Sequence, residues 1–124
     1  MRRSVPRLFL LTAAVACLAA AALVAPTWGD SGAVGSATKR VSVRDDFFSP
    51  RSVTVSRGDR VVWRWRGDNA HNVRFRSVPR GARRGGSSLK TSGTFARTFR
   101  KRGRYRYVCT IHVDVGMRGS VRVE

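Results

Sequence analysis

The chain has 124 residues, with 25 Lys+Arg against 7 Asp+Glu, a formal charge of +18, and only 2 His and 2 Cys. A hydrophobic share of 42% supplies one globular core and excludes a multi-span membrane protein. Two histidines and two cysteines are too few for a four-cysteine or three-histidine zinc site, a disulfide-rich scaffold or a multi-copper cluster.

Arg2, Arg3 and Arg7 precede an apolar run from Leu8 to Ala25, interrupted only by Thr12 and Cys17 and ended by Pro26. A basic start followed by such a run predicts a signal peptide over residues 1–25, or an N-terminal membrane anchor where it is retained. The protein is therefore expected to be exported, to the periplasm, cell envelope or extracellular space. Cys17 leaves with a cleaved signal, so the exported domain keeps one cysteine, Cys109, with no internal disulfide partner. Residues 26–39 are rich in Gly, Ser and Ala without a period and predict a flexible linker.

From residue 40 the pattern changes to short strands. Val41 and Val43 alternate with Ser42 and Arg44, and Val53 and Val55 alternate with Thr54 and Ser56. After a Gly58-Asp59 turn signal, Val61, Trp63 and Trp65 alternate with Val62, Arg64 and Arg66. His71, Val73 and Phe75 share one parity, as do Tyr105, Tyr107 and Cys109, and then Val121 and Val123. Period-two alternation of β-branched and aromatic residues, broken by Gly, Pro, Asp and Asn, predicts an all-β sandwich over residues 40–124. Phe95 and Phe99 share parity with Arg97, which predicts an edge or bulged strand. The Gly/Ser/Arg stretch 79–93 reads as a mobile loop.

The chemistry-bearing residues cluster. Cys109, His112 and Met117 form Cys-x2-His-x4-Met, and strand parity brings upstream His71 to the same interior near strand ends. Each alone is commoner as core filler or a satisfied histidine, but together they take both histidines, the one cysteine of the exported domain and its one methionine. Two imidazoles, a thiolate and a thioether are the donor set of a blue-copper electron-transfer site: the sulfurs favour Cu(I) and the imidazoles tolerate Cu(II).

The segments HNV at 71–73, GRYRYVCTIHVDVGM at 103–117 and RGSVRVE at 118–124, with FFSPRSVTVSRGDRVVWRW at 47–65, resemble the cupredoxins, nearest their plastocyanin, amicyanin and pseudoazurin branch. The resemblance implies a Greek-key β-sandwich holding one type 1 copper through His71, Cys109, His112 and Met117. It implies that His112, flanked by Ile111, Val113 and Val115, shows a ring edge at the surface for electron passage. It also implies that Asn72 ties the two ligand loops together near Thr110. Arg102-Gly103 stands where many relatives carry Pro-Gly, and the short step from His71 to Cys109 favours an amicyanin-like loop set.

Removing Arg2, Arg3 and Arg7 still leaves a charge of roughly +15, a field that speeds encounter with anionic partners and fades with salt. Arg80, Arg83 and Arg84 form one cluster, and Arg97, Arg100, Lys101, Arg102, Arg104 and Arg106 another. The expected partners are acidic redox proteins met transiently, with an anionic membrane or wall surface as a second candidate. No nucleic-acid motif is present, and a monomer is expected. Copper storage or delivery in the cell envelope is the alternative function. A thiol enzyme with Cys109 as nucleophile and His112 as base finds no third orienting residue in the sequence, so no enzymatic role is expected.

Overall fold

Alternating apolar residues become inward faces of strands, and the computed structural model describes them over residues 35–124. The predicted signal or anchor 1–25 and most of linker 26–39 lie outside the described residues. The described residues form nine strands in chain order: β1 (Thr38–Arg44), β2 (Phe47–Ser49), β3 (Ser52–Val55), β4 (Arg60–Trp65), β5 (Arg74–Ser77), β6 (Gly85–Gly86), β7 (Thr94–Thr98), β8 (Gly103–Val108) and β9 (Arg118–Val123). Among the described residues the one helical piece is a 3-10 turn, Val113–Val115.

The strands make two sheets, ordered β2-β1-β4-β7 and β3-β9-β8-β5-β6. The predicted all-β Greek-key sandwich is the fold, with two pairings, β1 with β4 and β3 with β9, running parallel. β1 begins two residues inside the predicted linker, because Thr38 and Lys39 already pair with Arg60 and Val61 of β4. Asp59 anchors that entry: its carboxylate accepts the Ala37 N–H at 2.8 Å and the Ser56 N–H at 2.8 Å.

Val41, Val43, Val61, Trp63, Phe75, Tyr105, Tyr107 and Val121 are buried between the sheets, as their parity requires. Trp63 sits at the centre, edge-on to Tyr107 at 5.3 Å and to Phe75 at 5.9 Å between ring centroids. Such pairs add about 0.5–1.5 kcal/mol each beyond the burial of their area.

Arg97 explains the strand that broke the pattern. β7 is the edge of its sheet, and the Arg97 guanidinium lies 4.4 Å over the Phe75 ring and 5.1 Å over Tyr105. A planar cation closing an aromatic core at a sheet edge takes an inward position that alternation alone assigns to an apolar residue. The stretch read as a mobile loop, 79–93, is also partly ordered: β6 pairs with β5, and Lys90 exchanges backbone hydrogen bonds with His71, both at 3.0 Å. Gly86 permits this, since a Cβ there would collide with the Val73 carbonyl.

Candidate metal centre

Two backbone devices deliver the donors to one end of the sandwich. The first follows β4. Trp65, its last residue, donates its indole N–H to the His71 carbonyl at 3.1 Å, and the bridge to Lys90 holds the other side of that backbone. His71 thus belongs to an isolated bridge three residues ahead of β5 and does not start the strand, yet it points inward and is fully buried.

The second device is the turn after β8. The His112 N–H bonds back to the Cys109 carbonyl at 3.3 Å, and the 3-10 turn closes with the Gly116 N–H on Val113 at 3.0 Å. Gly116 lies at φ 86°, where a side chain would be strained. The chain then returns so that the Cys109 N–H donates to the Met117 carbonyl at 3.1 Å. Cys109 and Met117 are both fully buried in the core cluster.

These devices bring three donor atoms face to face. His71 Nδ1 lies 3.0 Å from His112 Nδ1, and Cys109 Sγ lies 3.5 Å from His112 Nδ1 and 3.9 Å from His71 Nδ1. The one His/Cys/Asp/Glu cluster of metal-binding geometry among the described residues is His71, Cys109 and His112, with all ligand atoms within 4.8 Å of one another. Two ring nitrogens and a sulfur crowded this closely, two of the three residues fully buried, suit a shared cation better than they suit one another. The donor set fits a soft-to-borderline metal, and buried Met117 is joined through its backbone to Cys109 and His112.

The ligand loops are tied to each other as the resemblance implies. The Asn72 amide donates to Thr110 Oγ1 at 2.9 Å, and the Thr110 N–H donates to Asn72 Oδ1 at 2.8 Å. Asn72 is itself buried, so its two bonds fix the spacing between the His71 and Cys109 segments.

The sequence reading missed two carboxylates. The Asp45-Asp46 turn between β1 and β2 reaches the far nitrogen of both imidazoles. Asp45 Oδ1 accepts His71 Nε2–H at 2.9 Å, and Asp46 Oδ1 lies 3.6 Å from His112 Nε2. A carboxylate only accepts, so Nε2 of His71 carries the proton and Nδ1 presents its lone pair to the donor cluster. Asp45 also accepts the Asp68 N–H at 3.0 Å and the Asn69 N–H at 2.9 Å. Gly67 lets this loop close on the carboxylate, since a Cβ there would collide with it. The His71 hydrogen bond first, then the two backbone donors, lower the Asp45 carboxyl to about 2. The signal available in the sequence was scarcity: two adjacent acids in a chain that has 7.

Asp46 is also the third residue that a Cys109–His112 nucleophile pair lacked in the sequence. Access argues against that use: Cys109 has no exposed surface and its sulfur is shared between two imidazoles. The exposed side of the cluster belongs to His112, whose side chain keeps 24% of its surface, between Ile111 at 54% and Val115 at 67%.

A model of the copper-binding plastocyanin/azurin family matches residues 37–124. Chloroplastic plastocyanin of Fritillaria agrestis is 32% identical over 85 residues, which cover 61% of this chain and 51% of that protein. Halocyanin of Natronomonas pharaonis is 37% identical over 78 residues, 62% of this chain and 48% of its own. The chain spans about half the length of these two relatives. Among solved structures, an oxidised amicyanin mutant superposes with a TM-score of 0.61 at 29% identity, covering 69% of this chain and 81% of that one.

Proposed function

Starting from a chain that belongs to the plastocyanin/azurin family of copper-binding cupredoxins, with one type 1 copper as its cofactor, we propose that it is an exported carrier of single electrons. His71, Cys109, His112 and Met117 hold the metal in this reading. Copper bound there supplies one-electron chemistry, alternating between Cu(II) and Cu(I).

The observation that carries the reading is the convergence of Cys109 Sγ with two Nδ1 atoms in a pocket closed to solvent except at the His112 edge. The chain's own residues do three things there. Asn72 and the Trp65–His71 bond fix the donors before the metal arrives, so a change of metal charge meets a frame that resists rearrangement. Asp45 keeps the His71 tautomer. Ile111 and Val115 present an apolar surface around the exposed ring, suited to brief docking.

Residues 1–25 serve as export signal or anchor in this proposal, and the copper domain follows the linker. The strong positive charge favours acidic redox proteins as donor and acceptor. The chain carries electrons and makes or breaks no covalent bond. Storage or delivery of copper needs ligands that solvent or a partner reaches; burial of His71, Cys109 and Met117 supports the carrier.

Cu(II) added to the purified protein is expected to give an intense blue band from thiolate-to-copper charge transfer. Cys109→Ala abolishes it. A colourless wild-type complex, or colour that survives loss of this sulfur, would falsify the proposal. A copper off-rate fast on the timescale of reversible reduction would instead favour delivery.

A further inference from the structure

The outward parity of β5, β8 and β9 in the five-stranded sheet is mostly arginine. Arg74 and Arg76 of β5, Arg104 and Arg106 of β8, and Arg118 and Arg122 of β9 are all exposed. Arg104 stands directly opposite Arg122 in the β8–β9 register, a like-charge pair that opposes sheet formation. Among the described residues the one carboxylate within 4.0 Å of these arginines is Glu124, 3.6 Å from Arg122.

Within this face a concave groove of about 540 Å³ is lined by Arg51, Arg76, Arg104, Arg106 and Arg118. Among the described residues none of these five has an ion-pair partner within 4.0 Å. Five unpaired guanidiniums around one hollow form a positive focus that carboxylate or phosphate groups can engage bidentately.

The groove is continuous with the metal end through Val113, which lines it and belongs to the loop between His112 and Met117. That loop exposes Val115, and Ile111 is exposed on the other side of His112. An apolar tip bordered by arginines has the layout of a protein–protein interface, with a dry centre and a charged rim. A concave hollow receives a protruding chain segment, which a bilayer surface does not offer.

We propose that this arginine groove is the docking site for a carboxylate-rich segment of a partner protein, which thereby sets its own surface against the Ile111/Val115 tip and the His112 edge. The proposal rests on the electron-carrier reading and names the partner's chemistry and its point of attachment. Docking of this kind weakens steeply with ionic strength, because the rim charges are exposed.

The test uses the copper-loaded protein and a hexaglutamate peptide at low salt, with binding read from backbone amide shifts. The groove variant Arg76→Gln/Arg106→Gln/Arg118→Gln is expected to bind about tenfold more weakly. The control Arg40→Gln/Arg60→Gln/Arg64→Gln, which removes equal charge from β1 and β4 of the other sheet, is expected to change affinity less than about twofold. Equal weakening in both overturns the proposal, since net charge alone then suffices. Groove-dependent binding to phosphatidylglycerol vesicles without groove-dependent peptide binding also overturns it, in favour of a lipid headgroup. Arg106→Gln alone gives the same comparison with less perturbation if the triple variant does not fold. The blue band is recorded on every sample: its absence overturns the electron-carrier reading, whereas an intact band with equal weakening overturns the groove alone.

Discussion

His71 and His112 offer the same ring atom to the same point from opposite kinds of support. His71 is fully buried, its backbone bonded to Lys90 and to the Trp65 indole, its far nitrogen on Asp45 at 2.9 Å. His112 rides a turn closed by Gly116, keeps an exposed edge, and has Asp46 at 3.6 Å from its far nitrogen. One histidine is part of the core and the other is part of the surface. A site that must hold a metal rigidly and still exchange electrons needs one of each, since a fully buried set gives no short path outward and a fully exposed one exchanges its metal.

The sharpest way to break that comparison is to remove each ring in turn. His112→Gly opens a hole on the surface, and added imidazole is expected to enter it and restore the blue band. His71→Gly leaves a gap enclosed by the core, costs stability of the order of a large-to-small core change (about 2–5 kcal/mol), and is expected to stay colourless with imidazole. Equal rescue of the two variants, read by absorption, would erase the distinction.

The two carboxylates give the next largest contrast. Asp45→Asn keeps an acceptor near His71 Nε2 but removes its charge, so Cu(II) loses stabilisation relative to Cu(I). A tenfold shift in that equilibrium corresponds to about 60 mV in reduction potential for one electron, upward. Asp46→Asn is expected to shift the potential less, because that carboxylate is farther away and 58% exposed, where water screens it. Voltammetry of both variants checks the order. In the copper-free protein the lowered Asp45 carboxyl contributes stability above its ordinary value of 3.8, lost as pH falls towards about 2. Asp45→Asn should therefore flatten acid unfolding in that window.

The same contrast shows what the sequence made legible. Alternation assigned the inward faces of β1, β4, β8 and β9, and the clustering of scarce donors singled out His71, Cys109 and His112, whose ligand atoms lie within 4.8 Å of one another, because both signals are local or depend on composition. Alternation says nothing of strand direction, so the parallel β1–β4 and β3–β9 pairs were out of reach. The link from Asp45 to His71 spans 26 residues and carries no local pattern. The edge position of β7 was legible in its broken parity, but the aromatic partners of Arg97 and the pairing of β6 were not, since a cation over aromatic rings and a two-glycine strand are both stabilised by residues outside their own segments.

Asn72, between the two histidine environments, gives a smaller effect. Asn72→Ala removes both bonds to Thr110 and leaves the Thr110 N–H without that partner. Chemical denaturation should show a loss of about 1–3 kcal/mol, with the blue band retained but broadened as the loops move independently. A stability loss with an unchanged band would show that the tie serves the fold alone.

The smallest effect lies in the core beneath the site. The Trp63 indole N–H and the Tyr107 hydroxyl are buried without hydrogen-bond partners, in rings packed edge-on at 5.3 Å. Burial pushes the Tyr107 phenol up to about 12 from its ordinary value of 10.0. A raised value means that the folded state holds its proton longer, so this stability is complete below pH 10 and declines as pH rises towards 12. Tyr107→Phe removes the unpaired oxygen while keeping the ring. It is expected to be neutral or stabilising by up to about 1 kcal/mol at pH 7 and to lose part of the alkaline decline. A clear destabilisation at neutral pH, measured by thermal melting, would mean that the hydroxyl has a partner in solution.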